Sequence, residues 1–119
     1  MGEWALAVVG NVVIAAVMAW MVWAVEKDQL PRQGLVGIRT GATMHSDVAW
    51  RAGHRAALGV MRAAVSVSVL GGVATIALAT RWNVAAGVVW GASMAGILGL
   101  ALWSAVVASR AARAADPTY

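Results

Sequence analysis

The sequence contains no cysteine, and charged residues are scarce. Without cysteine the chain can form no disulfide, no thiolate nucleophile and no cysteine metal site. Only 12% of the 119 residues are charged, whereas a soluble domain usually carries about 25%. So small a chain cannot bury this many apolar side chains inside a core of its own. The scarcity of charge therefore predicts that lipid surrounds most of the protein, which we expect to be a single membrane domain over residues 1–119.

Three long stretches with few or no charges predict three transmembrane helices. Residues 4–25 and 84–108 contain no charged side chain, and residues 56–80 contain only Arg62. About 20 apolar residues suffice to cross a bilayer, so each stretch is long enough. The start of the chain lacks the basic segment of a cleaved signal peptide, and we expect the first span to be retained.

Residues 26–55 form a long polar segment, and the pattern within it predicts a turn followed by a short helix. Gly37 and Gly41 bracket a turn-prone strip. Ser46 is a favourable helix N-cap, and Asp47 then lies in the first turn, where its charge suits the helix dipole. We therefore expect an all-α membrane protein with three transmembrane helices and a short interfacial helix between the first and the second.

This polar segment carries a family resemblance. VGIRT, a short spacer and SDVAWRAGHRAA resemble the signature of the SdpI family of bacterial membrane proteins. The matching residues are Gly37, Ile38, Arg39, Thr40, Trp50, His54 and Arg55. The departure is Gly41, where the family usually has proline, and this glycine loosens the turn. The resemblance implies self-protection against a membrane-acting toxin peptide, in some members combined with signalling by holding a repressor at the membrane.

The signature defines the candidate binding or motif residues: Gly37, Arg39, Thr40, Asp47, Trp50, His54 and Arg55. One hypothesis is recognition, in which Arg39, Arg51 and Arg55 hold phospholipid headgroups. The alternative is that these residues only fasten the loop to the membrane or to the spans. A specific version pairs Arg39 with Asp47 and packs Trp50 and His54 against the spans, which makes a rigid module rather than an active site.

We expect neither catalysis nor a bound metal or other cofactor. His45, Asp47 and His54 are suitable ligand types, but zinc catalysis needs three well-placed ligands, and Asp47 and His54 are seven residues apart. Ser46, Asp47 and His54 match a hydrolase triad by residue type only, and capping explains Ser46 better. Nucleic acid is not an expected partner, because the net charge of +4 is not clustered on a soluble face, whereas it favours anionic membrane lipids.

Small and polar side chains within the spans predict helix packing. Asn11 is the one strongly polar residue of the first span, and its amide should face another helix. A ridge of small residues recurs every four positions in the third span: Gly87, Gly91, Ala95 and Gly99. Such a ridge lets two helices approach closely, and its partner is a span of the same chain or of another subunit. The pair Gly71-Gly72 permits either a close approach or a kink.

The distribution of lysine and arginine predicts the orientation. One side of the predicted membrane carries only Arg81, and the other carries Lys27, Arg32, Arg39, Arg51, Arg55, Arg62, Arg110 and Arg113. By the positive-inside rule the N-terminus should be outside, with the polar segment and the C-terminus cytoplasmic. The last four residues, 116–119, are predicted to be a disordered tail.

Two functions of different classes follow. The first is an immunity protein of the inner membrane that captures a toxin peptide, either through the ridge around Gly91 or through the loop of Arg39, Trp50, His54 and Arg55. The second is a small accessory subunit that packs into a larger membrane complex, whereas a homo-oligomer would support the first function. A transporter ranks third, since three helices are few for a pore and the spans have almost no polar lining.

Overall fold

The fold was analysed in a computed structural model, which describes residues 2–32 and 36–116 of the chain. It contains four α-helices and one 3₁₀ turn: α1 (Gly2–Glu26), the turn (Thr43–His45), α2 (Asp47–Ala56), α3 (Leu58–Ala79) and α4 (Asn83–Ala115). Three of the helices, α1, α3 and α4, are long and apolar enough to cross a membrane. The predicted class is confirmed: an all-helical fold with three candidate spans and a short helix between the first and the second.

Helix α4 is longer than the predicted third span. Its 33 residues give a rod of roughly 50 Å, whereas the hydrocarbon core of a bilayer is about 30 Å thick. The helix therefore continues well past the predicted end at Ala108. The prediction of a disordered tail is wrong at Asp116, which is buried and accepts a hydrogen bond from the Ser46 hydroxyl; residues 117–119 of that tail lie outside the described chain.

Helix α3 is the centre of the bundle and packs against both α1 and α4. Asn11 joins α1 to α3, because its side-chain Nδ2 donates to the Ser68 backbone carbonyl at 2.9 Å and its backbone carbonyl accepts from Ser68 Oγ at 2.7 Å. The Asn11 residue is only 2% exposed. The two glycines of α3 serve close approach, since a Cβ at Gly71 would lie 2.8 Å from Ser93 Oγ and one at Gly72 would lie 3.3 Å from Asn11 Cβ.

The small-residue ridge of α4 faces away from this packing. A Cβ built at Gly91 or Gly99 would have no atom within 4 Å, and Ala95 is exposed. Gly87 alone has a neighbour, the Trp4 ring at 3.5 Å. Within residues 2–32 and 36–116, no other span therefore packs on Gly91 or Gly99, and α1 reaches the ridge only at Gly87. Helix α4 instead buries another face, which carries Ala86, Ser93 and Ser104.

The two ends of the bundle differ in character. At the turn end, defined by residues 80–82, Trp4 Nε1 donates to Asn83 Oδ1 at 3.2 Å. The opposite end, here called the signature end, comprises residues 27–32 and 36–62 with the last turns of α1 and α4. Helix α2 lies there and packs mainly against α4.

The end of α1 is a hydrogen-bonded cap that turns the chain back over the signature end. The Asp28 N–H donates to the Val25 carbonyl at 3.1 Å, and the Gln29 N–H donates to the Ala24 carbonyl at 2.7 Å. This pair is the Schellman pattern, in which the residue after the helix takes a left-handed conformation. Asp28 does so with φ of 54°. The reversal buries Leu30 in the cluster that contains Trp50 and Met61.

We predict that Gly71→Ala destabilises the bundle, whereas Gly91→Ala does not. The added methyl at position 71 collides with Ser93, and overpacking of this kind costs about 1–3 kcal/mol. At position 91 the space is open, so the better helix propensity of alanine should leave stability unchanged or slightly raised. Thermal unfolding of both variants in the same detergent checks this. Equal midpoints for the two variants would contradict the packing described for α3.

Candidate functional site

Helix α2 begins at a side-chain cap, as its sequence predicts. Ser46 Oγ accepts the Ala49 N–H at 3.1 Å, and Asp47 occupies the first turn. The same hydroxyl donates to the Asp116 carboxylate at the far end of the chain. His45 Nε2 lies 3.7 Å from that carboxylate. The start of α2 is thereby tied to the end of α4, over a separation of 70 residues.

Trp50 and His54 are neighbours on the buried face of α2. Each is only 1% exposed, and their ring centroids lie 4.2 Å apart at an interplanar angle of 36°. The indole Nε1–H donates to the Leu30 carbonyl at 2.8 Å, which satisfies its one polar group. The chain segment that follows α1 is therefore fastened to α2 through a buried hydrogen bond.

The imidazole of His54 bridges two backbone groups. Its Nε2 accepts the Ile38 N–H at 2.8 Å, and its Nδ1 lies 2.8 Å from the Trp50 carbonyl. Since Nε2 is an acceptor, the ring must be neutral with its proton on Nδ1, which donates to Trp50. Burial lowers the pKa of His54 from its ordinary value of 6.5, and the hydrogen bond to Trp50 opposes this in part. Both nitrogens are used by the backbone, so neither is available as a base for catalysis.

Gly37 lies directly against this ring pair. Its φ of +111° is one that side chains rarely tolerate. A Cβ at this position would lie 2.8 Å from the Trp50 ring and 2.9 Å from His54 Nε2. The glycine is therefore required twice, for the turn and for contact with the rings. Gly41, the other end of the predicted strip, is exposed, and a Cβ there would meet nothing within 4 Å.

Two threonines close the strip into a compact turn. Thr43 Oγ1 donates to the Ile38 carbonyl at 2.7 Å and accepts the Thr40 N–H at 2.9 Å. Thr40 Oγ1 accepts the Thr43 N–H at 3.1 Å and the Ser109 hydroxyl at 2.9 Å. Thr43 is fully buried, and its part in this turn was not predicted from the sequence. The spacing of Thr40 and Thr43, typical of hydroxyls that bond to nearby backbone groups, was an available signal.

The last turns of α4 form the surface on which α2 rests. A Cβ at Gly53 would lie 2.9 Å from the Ala108 carbonyl, so the two helices approach very closely there. Ala49 and Ala112 pack together with Ala42. Neither Gly53 nor the end of α4 was predicted to take part, because the sequence reading ended the third span at Ala108.

The ion pairs differ from the one that was predicted. Asp47 Oδ1 pairs with Arg32 Nε at 3.5 Å, so the proposed pair of Asp47 with Arg39 is wrong. Arg51 Nε pairs with Asp28 Oδ1 at 3.4 Å rather than with Asp47 one turn away. Both pairs are largely exposed and contribute little to stability, about 0–1 kcal/mol each. Their geometry follows from the reversal after α1, which lays residues 28–32 beside α2.

The remaining signature cations are exposed. Arg39 and Arg55 point to the surface and show no ion pair within the described part of the chain. His45, Asp47 and His54 do not converge, since Asp47 faces Arg32 and both His54 nitrogens bind backbone. No group of three or more His, Asp or Glu side chains in residues 2–32 and 36–116 is placed to hold a metal ion.

Comparison with known families gives a match that includes the signature. Residues 29–108, about two thirds of the chain, match the model of the SdpI/YfhL protein family. The chain belongs to the SdpI/YfhL protein family. No curated protein and no solved structure shows significant similarity to it.

The family match spans the strip, α2, α3 and most of α4. It leaves out α1, which carries Asn11, and the last turns of α4 with Asp116 directly after them. In this SdpI/YfhL chain the signature residues fall into two groups. Gly37 is interlocked with the buried side chains of Trp50 and His54, whereas Arg39 and Arg55 remain on the surface.

We predict that Gly37→Ala loosens the strip, whereas Gly41→Ala leaves it intact. The substitution at position 37 adds backbone strain of about 1–3 kcal/mol and a clash with the Trp50 and His54 rings. Hydrogen exchange of the Ile38 amide should accelerate by at least about tenfold in the first variant only. Equal exchange in both variants would show that the rings do not hold the strip.

We predict that acidification also opens the strip. The pKa of folded His54 lies below 6.5, so its contribution is complete above pH 6.5 and is lost as the pH falls toward the folded pKa. The loss is at most about 1.4 kcal/mol per pH unit, because a single proton is taken up. The protection factor of the Ile38 amide, corrected for intrinsic exchange, should fall over this window. In a His54→Gln control it should be lower and independent of pH; a pH response in that control would assign the effect to another group.

Proposed function

We propose that the protein is a multi-pass protein of the bacterial inner membrane with its signature end in the cytoplasm. Support comes from the asymmetry of basic residues. The signature end carries eight of the nine lysines and arginines, and the turn end carries only Arg81. A bias of this kind sets the orientation of membrane proteins. The N-terminus is then outside, and the C-terminus lies with α2 on the cytoplasmic side.

Its function is self-protection against a membrane-acting toxin peptide by non-catalytic binding. The observation that carries this proposal is membership of the SdpI/YfhL family over two thirds of the chain. The geometry of the signature supports a binding role rather than a chemical one. His54 is the one deeply buried titratable side chain of the signature, and both of its ring nitrogens form hydrogen bonds with backbone groups.

The ridge of α4 is the surface best suited to an apolar peptide. Gly91, Ala95 and Gly99 are exposed, and a Cβ at either glycine would meet no other part of the described chain. Within lipid, small residues allow a second helix to approach closely, and packing then replaces the hydrophobic effect as the driving force. A hydrophobic or amphipathic toxin helix can dock here without any rearrangement of the bundle.

The signature end contributes in a different way. Trp50 and His54 are buried, so they cannot touch a ligand directly. Arg39 and Arg55 remain exposed, and a repressor with an acidic surface is the kind of partner that they would hold if the protein also signals. The interlocked rings hold the backbone segments from which these two cations extend.

An accessory subunit of a larger membrane complex is the alternative, favoured by the same exposed ridge. In that case the ridge of α4 packs against a permanent partner rather than against a toxin. Purification in a mild detergent separates the two functions. A larger partner in constant stoichiometry supports the subunit, and a chain that purifies alone or as a homo-oligomer supports the immunity protein.

We predict that Gly91→Leu abolishes protection without loss of the protein. The leucine side chain fills the ridge and prevents close approach of a toxin helix, at a cost of about 1–3 kcal/mol in binding. A toxin-sensitive bacterium producing the variant should lose protection by at least about tenfold in survival when challenged with membrane-acting peptide toxins. Membrane levels should stay unchanged, because the site of substitution is open.

The matched control is Gly10→Leu, which places the same side chain on α1 where a Cβ would also meet nothing within 4 Å. It should protect as well as the natural chain. Undiminished protection by Gly91→Leu would remove the ridge from the mechanism. The immunity function itself would be contradicted if no form of the protein protected cells against toxins that a known family member resists.

A further inference from the structure

The arginines of the signature end differ in whether they pair with a carboxylate of the same chain. Arg32, Arg51 and Arg62 each pair with a carboxylate: Asp47, Asp28 and Glu26 respectively. Arg110, on the last turns of α4, is exposed and forms no ion pair within residues 2–32 and 36–116. Its positive charge is therefore available to an anion from outside the chain.

A pocket of about 300 Å³ lies beside Arg110. Its lining residues are Thr40, Ala105, Val106, Ser109, Arg110 and Arg113. The lining thus combines two guanidinium groups and two hydroxyls, and it includes no carboxylate. An exposed arginine beside hydroxyl groups suits an anion such as a phosphate, which arginine binds with parallel hydrogen bonds.

The hydroxyls of the pocket can take part in binding. Ser109 Oγ donates to Thr40 Oγ1 at 2.9 Å, while the Thr40 hydroxyl reaches Thr43 Oγ1 only at 3.3 Å. This long hydrogen bond is weak, so the Thr40 proton can turn toward an anion at little cost. A signature residue, Thr40, thereby lies on the wall of the pocket and is held there by α4.

The position of the pocket along α4 matches the depth of lipid headgroups. About 20 residues cross the hydrocarbon core, so α4, which starts at Asn83, leaves it near Trp103. Trp103 is half exposed, as aromatic side chains at the membrane interface are. Arg110 lies two turns further, about 10 Å along the axis. On the membrane side, exposed Leu102 and Val106 continue the pocket as an apolar surface that an acyl chain can cover.

We propose that this pocket binds the phosphodiester headgroup of an anionic phospholipid in the leaflet at the signature end. Arg110 contacts the phosphate oxygens, Thr40 donates a further hydrogen bond, and one acyl chain follows α4 along Val106 and Leu102. The bound lipid joins the strip to the end of α4 from the outside. This inference needs the membrane placement of α4, and it does not depend on any toxin.

The experiment is a lipid titration of the full-length protein in detergent, followed by native mass spectrometry. Phosphatidylglycerol is the anionic probe, and phosphatidylcholine is the zwitterionic control. The variant Arg110→Gln should bind phosphatidylglycerol about fivefold more weakly, the effect expected for loss of one cation near a headgroup. Arg110→Lys, which keeps the charge, should retain most of the affinity.

The matched control is Arg55→Gln, which removes an exposed, unpaired arginine from the same end of the molecule but outside the pocket. It should leave binding of phosphatidylglycerol unchanged. Equal losses for Arg55→Gln and Arg110→Gln would mean a diffuse attraction and overturn the site, as would equal binding of phosphatidylcholine. Millimolar glycerol phosphate should not displace the lipid; complete displacement would assign the pocket to a soluble phosphate and overturn the lipid as its ligand.

Discussion

A single neutral imidazole holds the signature end together. His54 accepts the Ile38 N–H and donates to the Trp50 carbonyl, so one side chain satisfies backbone groups of the strip and of α2. A buried polar group left without a partner costs about 1–3 kcal/mol, which makes any other arrangement unfavourable. Gly37 must then be a glycine, because the strip passes within van der Waals contact of both rings. The position of the strip against α2 follows from this one contact.

This rigid segment gives the molecule two unlike parts. Helices α1, α3 and α4 present apolar faces to lipid, and close packing at Gly71 and hydrogen bonds at Asn11 hold them together. At the signature end, side chains instead form hydrogen bonds with backbone groups that lie outside regular helices. Because α4 extends beyond the hydrocarbon core, it belongs to both parts and carries α2 on its last turns. Both parts therefore share one continuous helix, α4.

Much of this architecture could be predicted from the sequence, for a physical reason. Long stretches with almost no charge are stable in lipid as helices, so the three candidate spans could be predicted. The cap at Ser46 follows from local chemistry. The extension of α4 was missed because Arg110 and Arg113 end an apolar stretch but do not end a helix. The pairing of Asp47 with Arg32 was missed because it depends on the left-handed reversal at Asp28, which hydropathy does not encode. Pairing across such a turn is a tertiary property.

The state of His54 is the most direct test of the account. The chain has two histidines, so ¹⁵N-histidine labelling gives a spectrum in which each ring nitrogen can be assigned by comparison with a His45→Gln variant. We predict that His54 at neutral pH is uncharged, with its proton on Nδ1 and an unprotonated Nε2 that accepts a hydrogen bond from the backbone. A His54 ring that is charged, carries its proton on Nε2 or averages rapidly between tautomers would contradict the account.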